Sequence, residues 1–411
     1  MLFSGANQSC SFYVFIHKPA KKGAKGEEEG NLLDSVKYRY PPNISDETTE
    51  NFLSSVVSLY TFMTVTFEGD GVNVIAYKQT NAAIRTIPFN GENLLFFVLR
   101  MPASYTGAAV LRALDRIVDI SLFSLGPGIQ CSEQLENYLK DKGKKLCDQI
   151  FCLTPINFTF PQILSGNWNR SIVMTAITEF TIINSNPNIW GISCHVQNKL
   201  FISHISPEFA SFFVFAPFVK NRAIVYMNPK QKSAICNFPK CNSNIPNDEI
   251  IKTLLLKFEG PDVTFYVLTS PDLTKEEKKK IKEALRPSFE NMNQQFQQYP
   301  EPSLEANTAI YDNALCYLRS NEKYMSSSME SNIIFAHDIF ESGQNVNEII
   351  MQNSNDLTFC LKTQTTEFYS SVPFSEKEKG EFASMFDAAI SPKRNKELNK
   401  LMATLMPYQQ F

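Results

Sequence analysis

Three times along this chain a strand-length apolar run ends in proline and gives way to the start of a helix. The runs are Asn93–Pro102 (NLLFFVLRMP), residues 263–271 (VTFYVLTSP) and Glu367–Pro373 (EFYSSVP). Proline removes a backbone donor and ends the ladder, so each run marks a junction between strand and helix. After the first, Thr106 precedes Val110, Leu111, Leu114, Ile117, Val118 and Leu122 at helical spacing, and Ser132 caps a further helix running to Ile150. After the second, Thr274 and Glu277 form a capping-box pattern ahead of Ile281, Leu285, Phe289, Met292 and Phe296. After the third, Ser375 and Glu378 repeat that pattern before Phe382, Met385, Phe386 and Ala389. A cap followed by apolar residues three and four apart predicts a helix with one buried face. The fold class is therefore α+β, with one unit repeated three times.

Punctuation sets the boundaries. Residues 154–168 (TPINFTFPQILSGNW) and 299–303 (YPEPS) are rich in turn formers and divide the chain into domains at 1–153, 167–298 and 304–411. In the second domain, residues 169–183 read as a helix, 190–205 as two strands and 237–247 as a loop. In the third, residues 314–319 and 357–363 read as strands and 329–341 as a helix.

The amino-terminal stretch carries the most functional information. Residues 11–18 (SFYVFIHK) read as a strand, and in a second strand Val36, Tyr38 and Tyr40 alternate with Lys37 and Arg39. Pro41 and Pro42 stop that strand. Ser45, Asp46 and Glu47 then supply a cap and first-turn acids for a helix over residues 47–64. Along it Phe52, Leu53, Val56, Val57, Leu59, Tyr60 and Met63 cover about 160° of the circumference, wider than the ~100° stripe that one core buries. Phe62 extends the apolar area to a further side. Ser54, Ser55, Ser58 and Thr61 leave the rest small and uncharged. One side of this helix is expected to pack on its own sheet and another on a partner.

Composition excludes several function classes. With 43% hydrophobic and 20% charged residues the chain is globular, and a net charge of -3 gives no footprint for nucleic acid. Basic clusters at residues 17–25, 140–145, 275–282 and 393–400 are candidates for an anionic membrane surface or for solvated faces. The longest nearly apolar run, residues 209–219, is too short to span a bilayer, no amino-terminal signal is evident, and a soluble chain is expected. Nine widely spaced cysteines fit reduced thiols.

No phosphate loop, dinucleotide-binding glycine triplet, nucleophile elbow or two-histidine zinc helix is present. Only 16 glycines occur in the chain, which disfavours loops that cradle phosphates. Cys236 and Cys241, with Cys194, His195 and His204, carry donors that zinc uses, but the paired second knuckle is missing. His195 and His204 flank a turn at Asn198 and Lys199, and a Cys/His pair with His337 is the remaining nucleophilic arrangement. Glu27, Glu28 and Glu29 are consecutive and read as a solubilising loop. No cofactor, no metal and no covalent catalysis are expected.

The opening segment, FYVFIHKP, then a loop with GEEEG, then VKYRYPP, resembles the amino-terminal hairpin of the Ccz family. Further landmarks come in that family's order: the strand at 93–101, the helix at 109–123, the region 250–296 and the strand at 313–318. The likeness touches the related longin families of the Hermansky-Pudlak exchange complex and the Inturned polarity protein. It implies three consecutive longin-like domains, each an antiparallel sheet flanked by helices. It also implies a non-covalent guanine nucleotide exchange factor subunit that pairs with a Mon-type triple-longin subunit and serves a late-endosomal Rab GTPase. Such a subunit is cytoplasmic and recruited peripherally to the anionic surface of late endosome, vacuole or lysosome. By that likeness the partner- and GTPase-binding positions are Val36, Tyr38, Tyr40, Phe52, Val56, Leu59, Tyr60 and Met63. A longin-type trafficking scaffold without exchange activity is the alternative.

Overall fold

A computed structural model describes residues 10–18, 32–66, 73–91, 93–151, 178–179, 186, 188–196, 199–205, 207–215, 222–228, 250–298, 314–315, 333, 335–337, 339–340, 346, 348–352, 356–362 and 367–373. The chain is α+β and divides into two compact units, one of Met1–Thr159 with Phe215–Pro217, the other of Phe160–Val214 and Phe218–Phe411.

In the first unit five strands form one antiparallel sheet: β1 (Ser11–His17), β2 (Val36–Tyr40), β3 (Val74–Ala76), β4 (Thr80–Phe89) and β5 (Asn93–Pro102). Their order is β2-β1-β5-β4-β3. Helix α1 (Asp46–Thr66) covers one face. Its start is set by Ser45, whose Oγ accepts the backbone N–H of Thr48 at 3.2 Å, with Asp46 and Glu47 in the first turn. Phe52, Leu53 and Val56 of α1 enter a core with Tyr13, Phe15, Ala82, Ile84, Phe96 and Val98. Strand alternation turns the neighbouring side chains to the other face, where Arg85 binds Asp115 of α2 (Gly107–Leu125), with Nη2 donating at 3.0 Å. The Thr106 cap forms, its Oγ1 accepting from the N–H of Ala109 at 3.2 Å.

The continuous helix expected from Ser132 to Ile150 is broken. It is α3 (Ser132–Tyr138), a wide π-type turn at Leu139–Gly143, and α4 (Lys144–Phe151). Ser132 does not cap it; its Oγ donates to Glu136 Oε1 at 3.0 Å. Gly143 shows what the turn accommodates, since a Cβ there would lie 2.7 Å from Cζ of Tyr38. The aromatic ring of β2 occupies the room that a regular helical side chain would need.

The second unit contains a sheet with the same plan. Its strands are β6 (Ile189–Val196), β7 (Lys199–Ser203), β8 (Arg222–Met227), β9 (Ile251–Glu259) and β10 (Val263–Thr269), in the order β7-β6-β10-β9-β8. Position for position this is the order of the first sheet. Helix α5 (Pro207–Phe215) lies on one face, with Phe213 packed 5.5 Å from Tyr266. Helix α6 (Lys275–Gln298) lies on the other, where Ile281, Leu285, Met292 and Phe296 join Ile192, Cys194, Leu254, Leu256, Phe265 and Val267. The expected apolar spacing of α6 is thus its buried face.

The capping box at its start is complete: the N–H of Thr274 donates to Glu277 Oε2 at 2.8 Å, and the N–H of Glu277 to Thr274 Oγ1 at 3.2 Å. Thr274→Ala should lower the stability of this unit by about 1 kcal/mol, read as a smaller denaturation midpoint at unchanged slope.

A four-stranded sheet completes the described strands, with β11 (Ala314–Leu315), β12 (Glu348–Gln352), β13 (Asp356–Lys362) and β14 (Glu367–Pro373) in the order β11-β14-β13-β12. Strand β14 coincides with the expected run. The order matches the other sheets with the second strand's place not filled among the described residues. Several expectations lie outside the described residues: both linkers, most of the 169–183 helix, the 237–247 loop with Cys236 and Cys241, Glu27 to Glu29, the 393–400 basic cluster, and the Ser375/Glu378 capping box with its helix.

Candidate functional site

The eight residues singled out on β2 and α1 do not share one surface. Strand β2 pairs with β1 as Phe12 with Tyr40 and Val14 with Tyr38, then slips so that Phe15 faces Val36. One extra residue, Lys37, is accommodated in a β-bulge. The slip gives the residues on its two sides opposite facings. Val36 packs on the α1 side, against the core of Tyr13, Phe15 and Phe96. Tyr38 and Tyr40 lie on the α2 side, where Phe12 pairs with them. Strict alternation would put all three on one face, and the bulge corrects it.

On that far side the tyrosines are tied to α4. Tyr40 Oη donates to Asp148 Oδ1, its ring lies 5.5 Å from Phe151, and Lys144 Nζ sits 2.6 Å from Asp148 Oδ2. Tyr38 meets Cys147. Burial pushes both hydroxyl and thiol well above their ordinary pKa, so each is a neutral structural group. Lys37 reaches Glu136 Oε1 at 3.1 Å. With Arg39 donating to Asp46 of α1, strand β2 is clasped by its own unit through all five of its residues.

Helix α1 separates into two sides more sharply than its composition implies. Val56 and Leu53 are fully buried and Phe52 nearly so, so Phe52 and Val56 are core residues and not surface contacts. Tyr60 is half-buried, its ring 4.9 Å from Phe96 and edge-on to it. Met63 is also half-buried. Leu59 is 40% exposed, as a partner contact requires. Phe62, which the expected contact set omits, is the most open apolar side chain on the helix at 53%. The signal for it was its spacing, four residues beyond Ser58 and eight beyond Ser54, both exposed.

The outward ridge therefore runs from exposed Glu47, Glu50 and Asn51 through Ser54 and Ser58 to Leu59 and Phe62. It is acidic at one end, small in the middle and apolar at the other. A helix or backbone segment can approach closely at the serines while an apolar pocket receives Leu59 and Phe62.

Of the other candidates, His195 and Cys194 are closed off in the second sheet. His195 is buried, its Nε2 lies 3.1 Å from Ser193 Oγ, and burial holds its pKa down to about 3. A histidine so placed is neutral and out of reach of solvent. Burial also lowers His204 and raises the Cys194 thiol far above the usual range. Among the described residues no group of His, Cys, Asp or Glu is gathered to hold a metal ion. In the basic cluster at 140–145, Lys140 pairs with Glu136, Lys142 with Asp141 and Lys144 with Asp148, and in that at 275–282 Lys279 pairs with Glu283. No described helix is long and apolar enough to cross a membrane. No protein-family model matches the chain, and none of the curated proteins matches it.

Proposed function

We propose that this chain is a Ccz-type subunit of a heterodimeric guanine nucleotide exchange factor for a late-endosomal Rab GTPase, built of three consecutive longin-like domains. The observation that carries the reading is the strand order. The first and second sheets both run second-first-fifth-fourth-third in chain order, and the third has the same order in four strands. Three copies of one sheet plan in series fit the architecture implied by the hairpin's resemblance.

The α1 ridge supports the partner role. Leu59 and Phe62 keep apolar area in water that folding of the first unit does not remove. In this reading a Mon-type triple-longin subunit covers part of the ridge, and the joined surfaces hold the switch loops of the GTPase. Exchange needs no bond-making side chain. A surface that binds the nucleotide-free GTPase better than the loaded one shifts the population towards release of GDP. The anionic endosomal surface is the proposed place of action, reached by peripheral recruitment.

The test is GDP release. The purified complex of this chain with a Mon-type subunit should accelerate loss of fluorescent GDP from the Rab GTPase, while a scaffold would bind it and leave the rate unchanged. Leu59→Asp with Phe62→Asp should abolish co-purification of the two subunits, with the thermal midpoint of this chain unaltered. Retained pairing would reject the ridge as the contact.

A further inference from the structure

Strand alternation sends Ser11, Tyr13 and Phe15 of β1 to the α1 side of the first sheet, and Phe96, Val98 and Arg100 of β5 to the same side. Most of that face is apolar core, but at one end the pattern changes. Ser11 stands directly opposite Arg100, and Tyr13 follows two residues along, opposite Val98. Both Ser11 and Tyr13 are at most 1% exposed. Phe52 of α1 packs against this end, its ring 5.4 Å from that of Tyr13 and 5.0 Å from the guanidinium carbon of Arg100.

Among the described residues Ser11 Oγ, Tyr13 Oη and Arg100 Nε are buried atoms with no hydrogen-bond partner. Buried polar atoms are nearly always paired, so three of them gathered at one end of one face mark a place that a small ligand fits. All three atoms carry a hydrogen to donate. Water satisfies hydroxyls, but it leaves a guanidinium without a counter-charge, and a buried charge is costly unless it is paired. Burial, only partly opposed by Arg100, holds the Cys10 thiol up at about 11, so that neighbour is neutral and supplies no negative charge.

We propose that Ser11 Oγ, Tyr13 Oη and Arg100 Nε together bind a monatomic anion, chloride, beneath Phe52. Three donors and no acceptor suit an anion, and a seat between two adjacent strands and the helix packed on them suits a single atom better than a phosphate. The ion would join β1 to β5 under α1, so its binding is linked to the folding of the first unit. This inference is independent of the exchange reading.

Hydrogen exchange of the α1 amides in the full chain tests it, with sodium gluconate replaced by sodium chloride at constant ionic strength. A ligand that binds only the folded state slows exchange through unfolding by one plus the ratio of its concentration to its dissociation constant. The wild type should therefore exchange more slowly as chloride rises, by about tenfold at ten times the dissociation constant, while the α6 amides of the other unit do not respond. Ser11→Ala with Tyr13→Phe removes two hydroxyls that hold no partner among the described residues, so this double variant should fold and, in gluconate, exchange no faster than the wild type. The double variant and Arg100→Met should each lose the chloride response. Equal α1 exchange of the wild type in the two salts, as for a site that holds water only, would overturn the proposal. So would a chloride response kept by the double variant, faster exchange of that variant in gluconate, or a response to phosphate in place of chloride. If Arg100→Met does not fold, the hydroxyl variant decides.

Discussion

Val56→Asp should unfold the first unit. The side chain is fully buried in α1 beside Tyr13, Phe15, Ile84 and Phe96. Removing it forfeits about 1.5 to 3 kcal/mol of burial, and the new carboxyl finds no partner in an apolar cluster. Leaving a charge uncompensated in such a place costs about 3 to 5 kcal/mol. Against a typical total stability of ~5 to 15 kcal/mol that is enough to populate the unfolded state. Leu59→Asp, one turn further along but on the exposed side, should change stability by no more than about 0.5 kcal/mol. The readout is hydrogen exchange of the α1 amides: fast in Val56→Asp, protected in Leu59→Asp. Equal protection in both would mean that α1 is not seated on the sheet as described.

The contrast between those two positions shows what a linear pattern can and cannot carry. Strand runs bounded by proline were legible because period-two alternation and a missing donor are local facts, and β5 and β14 begin and end where the pattern places them. The α6 stripe and its capping box were legible for the same reason. What a pattern does not carry is which side of a wide apolar helix the sheet claims. Helix α1 has apolar residues over too broad an arc to choose, and the choice falls to Tyr13, Phe15 and Phe96, which come from other strands. The bulge at Lys37 is hidden likewise, since a register slip is a property of the pair β1 and β2 and not of either alone. The close approach of Gly143 in the turn at Leu139–Gly143 is to Tyr38, about a hundred residues earlier in the chain, and no local pattern shows it. Strands β3, β4, β8, β9 and β12 and helix α5 escaped notice: β3, β8 and β12 are short, α5 is apolar along most of its length, and β4 and β9 sustain no period of two.

The second unit should weaken in acid through one side chain. His195 lies wholly buried in β6, edge-on to Tyr266 at 5.1 Å, and its Nδ1 has no hydrogen-bond partner. Burial holds its pKa down to about 3, while in the unfolded chain the imidazole titrates near its ordinary 6.5. Above that pH both states are neutral and the residue contributes nothing to the pH dependence. Below it the unfolded chain takes up a proton that the folded chain refuses until about pH 3. Each pH unit in that window therefore costs about 1.4 kcal/mol of stability, roughly 3 kcal/mol by pH 4.5. Both tryptophans, Trp168 and Trp190, belong to this unit, so denaturation followed by tryptophan fluorescence reports on it. Carboxylates elsewhere add their own acid dependence, which is why the comparison is with His195→Phe, a variant that keeps a ring against Tyr266 and cannot protonate. The difference in unfolding free energy between the two proteins should be constant above pH 7 and shift steadily against the wild type as the pH falls from 6.5. Parallel curves over the whole range would mean that water reaches the imidazole in the folded chain, and that the α5 face of the sheet is not closed.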